Sequence, residues 1–263
     1  MIRPVRWVLT RNHLSDHQGL AAGAALLLMA LGTGVLVAWP TVSDASWAAT
    51  LAGDLPGGVA DMFGLAGTSL TEPTGYLDAT FLSVVFPAVL LVLTVPLMVR
   101  AVAGAESGGE MEFLAAQPVR RSQILVERFV SVSLLALEIG IPALILVATG
   151  ASRGRLGIAA GSILGAGLRG LLLVVVVNAV VAAVAGASGR LALTSLVGLV
   201  TAVGVFALIA LEVPEFSPAR WLIGELPLGG TFSPVGSAGI TLVAMVALWM
   251  GSRVFRLRDL RLP

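Results

Sequence analysis

Six apolar stretches, at residues 19–39, 79–99, 130–149, 171–187, 191–211 and 235–252, limit this chain more than anything else in it. A helix needs ~20 apolar residues to cross a hydrocarbon core, and each stretch meets or approaches that length. The backbone must then satisfy its own hydrogen bonds, which lipid permits only to helices and closed barrels. The alternating pattern of a barrel strand is missing, so an all-α polytopic membrane protein with six transmembrane helices follows. Composition agrees: 57% of the 263 residues are hydrophobic, 12% are charged, and mean hydropathy is +0.98.

Charge placement orients the bundle. The net charge of +1 carries no sign of nucleic-acid binding, and all 16 basic residues are Arg. Arg3, Arg6 and Arg11 precede the first span. Arg100, Arg120, Arg121 and Arg128 follow the second, Arg190 follows the fourth, and Arg253, Arg256, Arg258 and Arg261 follow the sixth. The positive-inside rule makes those segments cytoplasmic, with both termini inside. Asp44, Asp54, Asp61, Glu72 and Asp78 fall in the opposite loop, Glu212, Glu215 and Glu225 stand there later against Arg220, and Arg153 and Arg155 run against this assignment. The first apolar run is span-length and lacks a clear cleavage site, so it reads as an uncleaved span.

One transmembrane domain divides into recognisable parts. Residues 1–18 suit a cytoplasmic interfacial helix, with Ile2, Val5, Val8 and Leu9 on one face and Trp7 at headgroup depth. His13 and His17, one helical turn apart, have only Asp16 as a possible third ligand, so no metal site is expected. The outer loop at 40–78 is too long to lack structure. It reads as a turn and short amphipathic helix at 55–64, then a turn at Glu72-Pro73 into the second span. That helix either caps an outer mouth or packs on the bundle. Pro87 and Pro96 are expected to kink the second span. At 212–234, Pro214, Pro218 and Pro227 forbid a continuous helix in an apolar stretch, which suits a short re-entrant or interfacial segment. Residues 253–263 form a cytoplasmic tail.

Within the spans, Glu138 lies about 13 Å deep at ~1.5 Å per residue. Facing lipid would be costly, so it should face the bundle interior or a wet cavity, as a pathway residue or a hydrogen-bonded packing residue. Arg169 starts the fourth span from the outer side, too far up for a direct ion pair. Asn178 can bond across helices and is the other possible pathway residue, while Gly157, Gly161 and Gly165 have the spacing of close helix packing.

The chain has no Cys and no Lys, so it lacks thiolate chemistry and the lysine of a Walker A phosphate loop. No nucleophilic triad or zinc motif appears, and the polar segments are too short for a catalytic domain. Catalysis and cofactors are not expected in this chain; an energy source would come from another polypeptide.

The segment at 100–128 is the only long charged stretch caught between two spans. If 109–116 is helical, Met111, Leu114 and Ala115 share one face and Glu106 and Glu110 another. Pro118 ends that helix, and Ser122 can cap the next. Here Glu106-x-x-Gly109-x-Met111-Glu112-Phe-Leu114-Ala-x-x-Pro118-Val-x-Arg121 resembles the E-x-x-G-T-L-E-L-L-L-x-x-P-V-S-R segment of permease subunits of ABC transporters of the type 2, exporter-like class. Glu110 departs from the family's Thr and makes the segment more acidic. Ser217-Pro-Ala-Arg-Trp221, Pro227-Leu-Gly-Gly and Phe255-Arg-Leu-Arg258-Asp259-Leu are similar to further family motifs, in the same order. The resemblance implies a coupling helix that docks on a separate ATPase, through Glu106, Gly109, Glu110, Met111, Glu112, Leu114, Pro118, Arg120 and Arg121. It further implies an ATPase dimer that binds ATP and Mg, a second permease chain, most simply a homodimer, and a prokaryotic cell membrane. The function implied is efflux, and the Leu-, Val- and Ala-rich spans with few polar groups lean to an apolar or amphipathic cargo. Two alternatives stay open: a permease-like subunit serving maturation of a metal centre on an outside partner, and an ion-coupled carrier using Glu138.

Overall fold

A computed structural model describes residues 8–65, 67–109, 121–211, 222, 227–228 and 234–258, apart from the side chains of 8, 9, 11–13, 52 and 121. Those residues are mostly helical, without strands. Helix α1 spans Val8–Ser43, α2 Ser46–Asp54 and α3 Gly57–Met62. The second apolar helix, α4, runs over Pro73–Ser107. Then come α5 (Arg121–Arg153), α6 (Ala160–Ser188), α7 (Leu191–Ala210) and α8 (Pro234–Leu257). Six of these, α1 and α4 to α8, are long and apolar enough to cross a membrane. The chain is an all-α, multi-pass membrane protein.

Helix α6 is the hub, with 72% of its most apolar window buried against 17% for α7. It packs on α4, α5, α7 and α8, while α1 lies chiefly along α5. The reason is side-chain size. Gly167 faces Leu144, Gly170 faces Phe86, and on α5 Gly140 meets Leu171, Phe86 and Leu90. Without a hydrophobic drive between helices in lipid, such small residues let neighbours close in and gain dispersion contacts. The glycines at Gly157, Gly161 and Gly165 do not do this: a Cβ at any of them meets nothing within 4 Å. Gly157, with φ 64°, lies in the turn before α6, and Gly161 and Gly165 sit on a face of α6 that no neighbouring helix approaches.

Asn178 does bond across helices. Its side chain is fully buried and its Nδ2 donates to Thr94 Oγ1 at 2.8 Å and to Val174 O at 3.0 Å. Buried cross-helix bonds in membranes contribute about 0.6–1.7 kcal/mol. Thr94→Val should therefore lower stability by about 1 kcal/mol in reversible SDS unfolding, and Asn178→Leu should then add little more in the double variant.

Several boundaries differ from expectation. From Val8 onward the expected interfacial helix is the start of α1 itself, and residues 1–7 lie outside the described ones. Buried Glu127 explains the continuity. Thr10 donates its N–H to Glu127 Oε2 at 3.4 Å and its hydroxyl to Glu127 O at 3.3 Å, while Gln123 Nε2 donates to Glu127 Oε1 at 2.6 Å. Ser122 lies within α5 and does not cap it.

Helix α4 is irregular in two places, with π turns at Asp78–Leu82 and Arg100–Gly104. Ahead of Pro87 the helix is interrupted at Ser83 and Val84, four and three residues before it. The α-helical ladder restarts at Val85 after Val84, so Pro87 falls in a first turn where its missing N–H costs nothing. Pro96 is interior, and the second π turn begins four residues later. The outer loop carries the expected short helix as α3, after Pro56, and α4 starts on Pro73. It also holds α2, whose sequence SWAATLAGD gave no separate signal.

Candidate functional site

The basic end of the bundle is built around Glu106. After the second π turn, α4 continues through Ala105–Ser107 and stops at Gly108 and Gly109. Gly108 N–H donates to Gly104 O at 2.9 Å, and Gly109 has φ 78°. A left-handed residue at a helix end is the conformation glycine adopts without Cβ cost. Gly109 thus turns the chain out of the helix, a backbone reason for glycine in this motif.

Glu106 points back into the protein, its side chain 1% exposed. Arg258 Nη1 donates to Oε1 at 2.9 Å and Nη2 to Oε2 at 2.6 Å, a bidentate pair across 152 positions. Gly189, the left-handed cap of α6, lies against both partners: a Cβ there would come within 2.3 Å of Arg258 Nη1 and 2.5 Å of Glu106 Oε2. Three elements therefore meet at one ion pair, namely the end of α4, the α6–α7 turn and the end of α8. Glu106 was expected to reach outward to an ATPase. Its carboxylate is instead held inside the chain, where it fixes the point from which the next segment leaves. Glu110, Met111, Glu112, Leu114, Pro118 and Arg120 lie outside the described residues, as does the side chain of Arg121.

A second anchor closes the acidic end. Asp78, 1% exposed, accepts a hydrogen bond at Oδ2 from Leu228 N–H at 3.1 Å, and Arg169 Nη2 donates to Pro227 O. The charges of Asp78 and Arg169 also attract one another. Gly64, with φ 73°, makes room for them, since a Cβ there would lie 2.5 Å from Ser83 Oγ and 3.2 Å from Asp78 Cβ. The 227–228 turn is thereby tied to α4 and α6. Most of the expected re-entrant segment, 212–221, 223–226 and 229–233, lies outside the described residues.

Between the two anchors, α4 and α7 leave an apolar groove of about 990 Å³. Leu91, Val92 and Val95 form one wall, and Leu199, Val203 and Phe206 the other. The helices touch behind it at Gly198, where a Cβ would meet Val95 Cγ1 at 2.8 Å. Met62 of α3 reaches the acidic end of the groove, and Arg100, Gly104, Ser107 and Gly108 line the basic end. Helix α3 packs on α7, so the outer-loop helix both rests on the bundle and borders the groove.

No protein-family model matches the chain, and a comparison with curated proteins found no match.

The two expected pathway residues are not brought to this groove. Asn178 is enclosed between α6 and α4 and does not line it. Glu138 is exposed on the outer surface of the bundle, contrary to the expectation of an interior acid. Helical period explains it: Leu135, Ile139 and Ala143 form the buried stripe of α5, whereas Leu134, Glu138, Ile141 and Ile145 form the opposite one. Arg169, as expected, serves the acidic end and does not pair with Glu138. Among the described residues no group of three His, Cys, Asp or Glu could hold a metal.

Proposed function

We propose that this chain is the membrane-spanning permease subunit of an ABC transporter of the exporter-like class, working as two copies with a separate ATPase dimer. One observation supports this reading best. The groove between α4 and α7 runs along the helices and ends on Arg100, Ser107 and Gly108, directly where α4 hands over to the segment that resembles a coupling helix. The same helix thus borders the groove and leads into that segment. A push on 110–120 from an ATPase would reach the groove through α4, whose two π turns and interior Pro96 are places where a helix bends most readily. The energy enters by ATP binding on the partner subunits, and the α4–α7 wall of the groove moves in response. Cargo is an apolar or amphipathic compound, in keeping with walls of Leu, Val and Phe.

Co-purification tests the reading. A tagged chain extracted gently from native membranes should bring down an ATPase subunit. Met111→Asp together with Glu112→Arg should abolish the association while leaving elution and thermal unfolding unchanged, because a docking face would lose both its apolar contact and its charge sign. An intact wild type that brings down no ATPase would sink the assignment.

A further inference from the structure

Among the described residues that line the groove, only Arg100 is charged. Ser107 and Ser195 are the other polar side chains there, and the remaining lining is apolar or glycine. Arg100 is exposed, at the basic end of the groove, and among the described residues nothing hydrogen-bonds or pairs with its guanidinium. The acid nearest along its helix, Glu106, is engaged by Arg258 through both carboxylate oxygens. Arg190, also exposed, adjoins groove residue Leu191 and adds to the positive potential of that end. From Ala88 to Arg100 the α4 side of the groove extends about 18 Å at ~1.5 Å per residue. Among the described residues, the slot is long and apolar with a single unpaired cation at one end, which is the polarity of an anionic amphiphile.

We propose that the groove binds an anionic amphiphile drawn from the leaflet at the basic end, its apolar chain along α4 and α7 and its carboxylate or phosphate head on Arg100. Arg supplies a planar fork of donors suited to either head. The apolar walls contribute by area removed from water and add no discrimination by sign. Selectivity for charge therefore rests on Arg100, and capacity for the chain on the space between Leu91 and Val203. The proposal deepens the permease reading and rests on it only for the fate of the molecule after binding; the binding step belongs to this chain alone.

The test uses the purified full chain in phosphatidylcholine nanodiscs, titrated with dansylated undecanoic acid and with its methyl ester, empty nanodiscs giving the partition background. The acid should bind saturably and more tightly than the ester. Arg100→Gln should weaken the acid about five- to ten-fold, a charge-assisted contact discounted for its exposure, and leave the ester unchanged. Arg100→Lys should keep most of the acid's affinity. Leu199→Trp, at an exposed wall position, should reduce binding of both probes while the protein keeps its thermal unfolding midpoint. Unchanged acid affinity in Arg100→Gln, or saturable binding indifferent to Leu199→Trp, would overturn the proposal. Its failure is separable from that of the permease reading: acid binding without any associated ATPase sinks the transporter alone, and ATPase association without charge-selective binding sinks the ligand alone.

Discussion

Arg258→Met should destabilise the chain by about 3 kcal/mol, and Glu106→Gln by less. The two partners are unequally placed, with the Glu106 side chain 1% exposed and that of Arg258 17% exposed. Losing the arginine removes the bidentate partner of a carboxylate that water barely reaches, and removing one partner of a buried pair costs ~3–5 kcal/mol. Water can partly serve a stranded arginine, so the reverse change is milder. The low end of that range applies because Arg258 is already partly wet. The double variant Glu106→Gln, Arg258→Met should be more stable than Arg258→Met alone, since no uncompensated buried charge remains. Reversible unfolding in mixed SDS micelles reads all three. A double variant as unstable as the sum of the singles would mean that the pair does not couple the end of α4 to the end of α8. Gly189→Ala should resemble Arg258→Met, because its Cβ would enter the guanidinium's place at a backbone conformation that also disfavours it.

This pair marks the limit of what the sequence discloses. Glu106 and Arg258 each stood in a recognisable motif, yet nothing in the chain indicates that the motifs touch, because a contact across 152 positions leaves no local pattern. Spans were legible for the opposite reason: a hydrocarbon core imposes a length that can be counted. Their ends were less so, and α1, α4 and α5 all continue past the apolar core, since polar residues at helix ends find partners such as Glu127 that hydropathy does not register. Glu138 shows the same limit: both stripes of α5 are apolar, so only the packing shows that Glu138 shares the exposed one with Leu134, Ile141 and Ile145. For the glycines, spacing misled where neighbours decide. Gly161 and Gly165 have the motif and touch nothing, whereas Gly251, in no motif, lies directly against the backbone of a neighbouring helix at Ala183.

Gly251 carries the other large effect. A Cβ there would lie 2.6 Å from Ala183 Cα and 2.7 Å from Ala183 O, so the obstacle is backbone and no rotamer change relieves it. Gly251→Val must force α8 away from α6, with a cost of about 3 kcal/mol or somewhat more, at the upper end of overpacking. Gly186→Ala, one turn along the facing helix, meets chiefly the end of Leu125, which can move, and should cost about 1 kcal/mol. Gly23→Ala meets nothing and should be neutral or slightly stabilising, as a helix-interior Gly exchanged for the better helix former. The same unfolding measurement ranks them, and a Gly251→Val protein as stable as Gly23→Ala would refute the close α6–α8 approach. Gly251 stands two helical turns before Arg258 on a continuous helix. Displacing α8 at Gly251 therefore displaces the guanidinium that holds Glu106. Gly251→Val combined with Arg258→Met should cost less than the two separately, because the first change has already loosened the contact removed by the second. If the permease reading holds, Gly251→Val should also weaken ATPase co-purification without altering any residue of 106–121, since the departure point of that segment depends on where α8 is seated.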